Sequence, residues 1–471
     1  MEKKVLTQVS PVVLPWRVKI LYAAGSFSKA LLAVAMAAFM LYFYTDVCGI
    51  DSTVAATIIL IAKIWDIIND PMMGAIIDRT RSKEGKCRFW LKYMSVPGMV
   101  IVALCFFVPE LTTTGKIIWV AVTYVLQGMI STSLLIPFNS RLTSDERQRV
   151  QLTQADGIGQ MLSQWMVVSL TFTFVGWLGG GDTRKGFLYV GIIYGIIYGI
   201  GHLIVYFATK GYEPGEHSAE PAESVKERTG SALKDIISSM GAFYRNKVLM
   251  FCGAVAFLYT LGMAVEEGAM AWYFQYVKTD AEALYGIYGT MSMPVAIVIY
   301  LFLDKIVKKL GNARTVIAGS CFTLAGYALG FVTHDATKAI MMIRWFLEGI
   351  GAGLIGAVIL LCVFDSKTYG VWKNNDNDSD AILTASYSLS YKIGMAIGGP
   401  ILGYVLAFVP YEAGAAVQPE SACNLFFYES TLIPGLIYVA TLIFALLMRK
   451  YEKRIPQMQK EIEERKQKQN A

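Results

Sequence analysis

The chain has 471 residues, of which 55% are hydrophobic and 17% charged, with a mean hydropathy of +0.47. A soluble protein of this length carries about a quarter charged residues, and here the surplus apolar residues fall in runs of about 20, the length of helix that crosses hydrocarbon. The sequence is that of a polytopic membrane protein, and its net charge of +6 is an excess of basic residues in loops that gives no sign of a nucleic-acid partner.

In chain order the spans lie near 18–45, 53–77, 90–109, 116–138, 155–178 and 187–208, then 247–275, 283–303, 314–333, 337–364, 382–409 and 431–448, twelve in all. Basic residues follow span two ("DRTRSKEGKCR"), span four ("RLTSDERQR") and span eight ("DKIVKKLGNAR"). The intervening loops "TDVCGIDS", "PELTTTGK", "YVKTDAEA" and "THDATK" are nearly free of Lys and Arg. This bias puts both termini on the cytoplasmic side of a cell membrane. Met1–Ser10 is polar and the first span is too long for a signal-peptide core, so no cleavable leader is expected.

A polar stretch, "TKGYEPGEHSAEPAESVKERTGSALKD", separates the two sets of six spans and reads as a linker. The expected organisation is a first six-helix bundle over 1–208, a cytoplasmic linker over 209–245, a second bundle over 246–449 and a cytoplasmic tail over 450–471 that is solvated and partly disordered. An internal repeat supports the division: Asp78, Gly85 and Arg88 recur with the same spacing as Asp304, Gly311 and Arg314, each set closing the second span of its half. These loops are the candidate cytoplasmic gates. The fold class is therefore all-α, twelve transmembrane helices in two bundles with a substrate site between them.

Span two poses a chemical problem in "IWDIINDPMMGAIIDR", Ile64–Arg79. Asp66 and Asp70 are i, i+4, so their carboxylates share a helix face with Asn69 beside them, and Lys63 lies one turn away. Two carboxylates and an amide oxygen form an oxygen cage suited to a hard monovalent cation or to a shared proton. Intramembrane ionisable groups mark functional sites; the plainer reading is a structural salt bridge to Lys63 or another lysine.

Other intramembrane candidates are Lys29, the pair Glu266 and Glu267, Arg344 with Glu348, and Lys392. Lys392 stands in an otherwise uncharged span beside Gly394, Gly398 and Gly399, glycines that serve close helix packing. It is placed to pair with the span-two carboxylates when a cation is absent. Arg344 and Glu348 are expected to pair with each other near the membrane edge, and helical geometry allows only one of Glu266 and Glu267 to face a cavity. The three histidines, His202, His217 and His334, are too far apart to form a metal-ligand cluster, and Cys48 and Cys423 give a weak case for one disulfide.

"KIWDIINDPMMGAIIDRTRSKEGKCRFWL" resembles the span-two and loop signature of the glycoside–pentoside–hexuronide:cation symporters, the melibiose-permease branch of the major facilitator superfamily. "YFYTDVCGI", "IPF" at Ile136–Phe138 and Lys392 match as well, whereas "DSKTYGVWK" has Thr368 and Val371 where the family has acidic residues. The resemblance implies a cation site of Asp66, Asn69, Asp70 and Thr132, with Lys392 as the switching partner. It also locates a substrate cavity, but there the chain departs from the melibiose type. Ala30 follows Lys29, Leu135 precedes "IPF", Asn139 follows it, and Gly157 and Gly356 replace an arginine and a tryptophan. Leu135, Gly356 and Ala30 suggest a larger, more apolar pocket.

The implied function is symport of Na⁺ or H⁺ with a small organic solute, a glycoside or hexuronide, by a monomeric carrier in contact with membrane lipid that needs no cofactor. The alternative is a cation-coupled carrier of an amphipathic or lipid-like solute, and more remotely a non-transporting sensor. No nucleophile–base or metal constellation supports an enzyme, and paired halves with one carboxylate cluster fit alternating access better than a channel.

Overall fold

The computed structural model describes residues 14–132, 142–143, 146–213, 241, 243–374 and 380–470, and among them all regular structure is helical. Hydrocarbon offers no hydrogen-bond partners, so each crossing closes its backbone bonds within itself as helix. The first six crossings are α1 (Trp16–Tyr42), α2 (Ser52–Arg79), α3 (Lys86–Cys105), α4 (Thr113–Thr132), α5 (Glu146–Gly179) and α6 (Thr183–Ala208). Then follow α7 (Lys247–Trp272), α8 (Ala281–Leu301), the short α9 (Leu303–Leu310), α10 (Asn312–Thr333), α11 (Lys338–Asn374) and α12 (Asp380–Gly398). The chain ends with α13 (Ile401–Val405), α14 (Glu420–Ser430), α15 (Leu432–Glu452) and α16 (Ile455–Asn470).

Eleven of these segments are long and apolar enough to span a membrane. The twelfth crossing of the fold is α4, whose expected continuation over 133–138 lies outside the described residues. The expected linker also lies mostly outside them. With an even number of crossings both chain termini share one end of the molecule, here called the terminal end, and Asp46 marks the far end.

Within the first half α1 packs on α5 and α6, and α3 on α6; within the second, α7 packs on α12 and α15, and α10 on α11 and α15. Glycine allows the closest of these approaches: a side chain at Gly394 would run into the backbone of α7 at Phe257 O, and one at Gly398 would meet Ala264 and Leu261. The halves meet where α5 crosses α8, α1 crosses α7, and α2 crosses α12 and α13.

Two features repeat between the halves. α1 and α7 both pass at the far end into one π-helical turn, Phe43–Val47 and Tyr273–Val277. At the terminal end, Gly85 and Gly311 precede α3 and α10 with positive φ of 104° and 83°, a region glycine enters without strain. A carboxylate from the end of each half's last crossing then caps the helix that follows. Glu213 accepts from the backbone N–H of Cys87 and Arg88 at 2.8 and 2.9 Å, and Glu452 from that of Ala313 at 2.9 Å.

The structure departs from the sequence expectation in two places. α5 and α11 extend past their expected spans, to Glu146 and Asn374. The tail is not solvated and partly disordered but takes the less favoured reading, a helix after Pro456: α16 docks on α11 through the buried Met458 and a bond from Trp372 Nε1 to Glu461 Oε2 of 2.5 Å. Cys48 and Cys423 are free thiols.

Candidate functional site

The site lies where α1, α2 and α4 of the first half face α7 and α12 of the second. A narrow cleft lies there, lined by Met36, Ala37, Lys63, Tyr124, Glu267 and Met395 among others. Its walls are mostly apolar, and its polar groups come from both halves, as a specific small-molecule site requires.

One to two turns along α2 from Lys63, which lines the cleft, come Asp66, Asn69 and Asp70. The Asp66 carboxylate rests on Gly128 of α4, where any side chain would collide with its Oδ1. Asn69 is 1% exposed and its amide nitrogen has no partner, an orphaned polar group inside the cluster. The alternate crossings α2 and α4 run in the same direction, so residues one turn further on also face each other across the pair. Gly128 is level with Asp66, and four residues later Thr132 is level with Asp70. By this register the backbone of Thr132 is level with Asp70; its own side chain lies outside the described part.

Lys392 crosses from α12 to pair with Asp70 Oδ2, joining the two halves. The side chains are 41% and 24% exposed, so the pair is wet enough to exchange. Lys63 is within electrostatic reach of Asp66, Asp70 and Glu267, so it faces carboxylates of both halves. Lys29 lies among Asp156 and Asp70 in the first half.

Other candidates are located as follows. Glu267 lines the cleft, whereas Glu266 is turned away from it into the second bundle, where Tyr327 OH donates to it at 2.6 Å. A helix sends adjacent residues about 100° apart, which separates the two. Arg344 and Glu348 do pair, Nε to Oε1 at 2.8 Å, fully buried in the protein, and Glu266 and Asp335 of the loop before α11 share the same guanidinium. Leu135 and Asn139 lie outside the described residues, as do the side chains of Asp78 and Asp304. Arg88 binds within its own half, to Glu84 O and Tyr206 O, and stacks on the Tyr206 ring; Arg314 is exposed.

Gly356 does not open an apolar void. A side chain there would meet the hydroxyl of Tyr259 at 3.0 Å and that of Tyr300 at 3.7 Å. With Tyr387 and Tyr391, whose rings lie 6.1 Å apart on α12, these residues form a tyrosine cluster beside Lys392. Rings and hydroxyls together suit the faces and edges of a sugar. Its sequence signal is the i, i+4 pair in "YSLSYK", set among small residues.

A second group missed in the sequence is at the far end. Asp46, in the π turn after α1, accepts hydrogen bonds from three aromatic side chains of the other half: Trp272 Nε1 at 2.8 Å, Tyr276 OH and Tyr411 OH. The N–H of Gly414 adds a fourth bond at 3.3 Å. Asp46 and Tyr276 hold equivalent places in the two π turns, so this clasp sits on the symmetry axis of the repeat. Comparison of "YFYTDV" with "WYFQYV" would have revealed it. Around it Phe39, Phe172 and Tyr285 pack across the halves, with Phe172 and Tyr285 stacked at 5.0 Å.

Two helical halves closed at one end over a central cleft define a membrane carrier of the major facilitator type, and solved structures share this fold. The xylose transporter XylE from E. coli aligns over 91% of this chain and 96% of its own at a TM-score of 0.59 and 13% identity. The nucleoside transporter NupG aligns over 92% and 99% at 0.61 and 14%. The profile of the family described as MFS/sugar transport protein matches residues 21–452, and the chain belongs to that family. This bears out the resemblance to the glycoside–pentoside–hexuronide symporters, and the protein is a transporter, not an enzyme.

Among curated relatives, the isoprimeverose transporter of Lactiplantibacillus pentosus is 28% identical over 97% of this chain and 93% of its own. The inner membrane symporter YicJ of Escherichia coli is 25% identical over 92% and 91%. The glucuronide carrier protein homolog of the same organism is 24% identical over 86% and 87%.

Proposed function

We propose that the protein is a secondary symporter that couples inward movement of Na⁺ or H⁺ to uptake of a small glycoside or hexuronide. The observation that carries this reading is the ion pair of Lys392 with Asp70. A lysine of one half occupies a carboxylate of the other, whose oxygens a cation would compete for. A monovalent cation held by Asp66, Asn69, Asp70 and Thr132 would displace Lys392 and free it toward the cleft, where solute and tyrosines meet. Cation and solute would then tighten each other's binding by the same factor.

The carrier would work as a monomer in the cell membrane with both termini cytoplasmic. The clasp at Asp46 then seals the outer side, so the conformation described is open toward the cytoplasm. The names of the relatives, which include an isoprimeverose transporter and a glucuronide carrier homolog, agree with a sugar-type solute.

The test is uptake into right-side-out vesicles across a panel of glycosides, hexuronides and amphipathic solutes, with and without a sodium gradient, for the wild type and Asp70→Asn. Sugar uptake driven by the gradient and lost in the variant is the expected result. Uptake confined to amphipathic solutes would reject the sugar assignment. Drive by a pH gradient alone would make the proton the coupling ion.

A further inference from the structure

The second bundle holds a group of ionisable side chains that takes no part in the cleft. Arg344 of α11 is 0% exposed and its guanidinium serves three carboxylates: Glu348 at 2.8 Å, Asp335 at 2.6 Å and Glu266 at 3.4 Å. A further guanidinium N–H goes to Ser430 O at the end of α14. Tyr327 OH and Tyr273 OH donate to Glu266 and Asp335, each at 2.6 Å.

The charges do not balance. The other cation at this group is Lys278, whose ammonium binds the backbone oxygens of His334 and Asp335. Three buried carboxylates therefore face one buried cation, Arg344, and one half-exposed cation, Lys278. The remaining neighbours do not restore neutrality: Tyr288 of α8 and Tyr438 of α15 are phenols, and Glu267 adds negative charge. An uncompensated buried carboxylate is far costlier than a protonated one.

Geometry shows where the missing positive charge belongs. Glu266 Oε1 and Glu348 Oε1 bind the same guanidinium, at 3.4 and 2.8 Å, which sets the two carboxyl groups side by side, yet two ionised carboxylates have no hydrogen to offer each other. Glu348 Oε2 is buried and receives no donor, although its side chain is only 7% exposed. A metal ion would have to displace the guanidinium that already fills the space between the acids, whereas a proton needs no room.

We propose that the second half carries a proton-binding site, one proton shared by the carboxyl groups of Glu266 and Glu348 and held beside Arg344. The site is separate from the span-two carboxylates and does not depend on which ion drives transport. It sits between α7 and α11, and α7 also carries Glu267 in the cleft and Trp272 in the clasp. Losing the proton sets two carboxylates against each other and pushes α7 from α11, so proton binding here steadies both the cleft wall and the clasp.

Infrared spectroscopy of the purified protein in lipid, in H₂O and D₂O at neutral pH, tests this without any solute. The wild type is expected to show a protonated-carboxyl C=O band that shifts in D₂O. Glu266→Gln and Glu348→Gln should each lose the component of one carboxyl, because either change leaves the remaining acid ionised against Arg344. Asp70→Asn should keep that component. A band unchanged in both glutamine variants overturns the proposal. Should those variants not fold, the triple variant Asp66→Asn, Glu267→Gln, Glu429→Gln removes the other buried carboxyls nearest in character. Survival of the band there supports the shared proton, and its disappearance overturns it. Glu429 belongs in that set because it is 0% exposed with neither oxygen partnered.

Discussion

The two intramembrane ionic clusters are built on opposite plans. In the first half, Asp66, Asn69 and Asp70 share one helix face, keep an unpartnered amide, and reach their lysine only across the cleft. In the second, Arg344 gathers three acids, all within the same half and at most 7% exposed. The first cluster is half-wet and can trade a lysine for a cation; the second is dry and can trade nothing larger than a proton. A charge inside a membrane is therefore not by itself a transport site: what separates the two is whether the partner comes from the other half and whether water reaches the pair.

The comparison breaks most sharply at Arg344. Arg344→Gln leaves three buried acids without their cation, and removing one member of a buried ion pair costs about 3–5 kcal/mol. The variant should unfold at a markedly lower temperature in detergent, or fail to accumulate, as fluorescence-detected thermal melts would show. Lys392→Met should leave the melting temperature nearly unchanged, because its pair is partly exposed and worth about 1 kcal/mol. Its effect belongs to binding. Without the competing ammonium, affinity for the coupling cation should rise roughly fivefold, the equivalent of that energy, while gradient-driven uptake falls. Titration calorimetry with Na⁺ checks the first part. Equal melting losses in the two variants would erase the distinction.

Much of the first cluster was legible because its information is local. Spacing along α2 puts Asp66 and Asp70 on one face, and a lone lysine in a glycine-rich span marks Lys392. Of the second cluster only the i, i+4 pair of Arg344 and Glu348 was legible, since Asp335 lies in a loop, Glu266 looks in sequence like its neighbour Glu267, and only packing tells which of them turns inward. The crossings were readable from hydropathy, yet the extensions of α5 and α11 at the terminal end were missed because a helix that leaves the membrane becomes polar without ending. Gly356 was misread for a related reason: a missing side chain suggests a void, but Tyr259 and Tyr300 reach it from other helices.

The clasp should respond to a gentler change. Asp46→Asn keeps the shape of the acceptor but loses its charge, and hydrogen bonds to charged groups contribute about 1.5–3 kcal/mol against about 1 for neutral ones. Weakening it should populate states open at the far end. Cys48, two residues along and 2% exposed, is a native reporter. Its reaction with a membrane-impermeant thiol reagent should speed up severalfold in Asp46→Asn, and an unchanged rate would mean that the aromatic packing of Phe172 and Tyr285 holds that end alone.

The smallest expected effect is at the tail, where the favoured sequence reading was a solvated, partly disordered segment. The bond from Trp372 Nε1 holds the Glu461 carboxyl below its ordinary value of 4.5, with Gln457 contributing next. A carboxyl depressed in the docked state favours docking above its undocked value, and the advantage fades as pH falls through the docked value. Docking should therefore be constant at neutral pH and loosen only below about pH 4.5. Arg465, which donates to Trp372 O at 2.8 Å, and the buried Met458 remain to hold the helix, so the change should be modest. Limited proteolysis across an acid titration reads it: cleavage between Arg454 and Arg465 should increase in acid for the wild type, and Glu461→Gln should show that faster cleavage already at pH 7. If cleavage in the variant matched the wild type at every pH, the apolar seat of Met458 would account for the docking without the carboxylate.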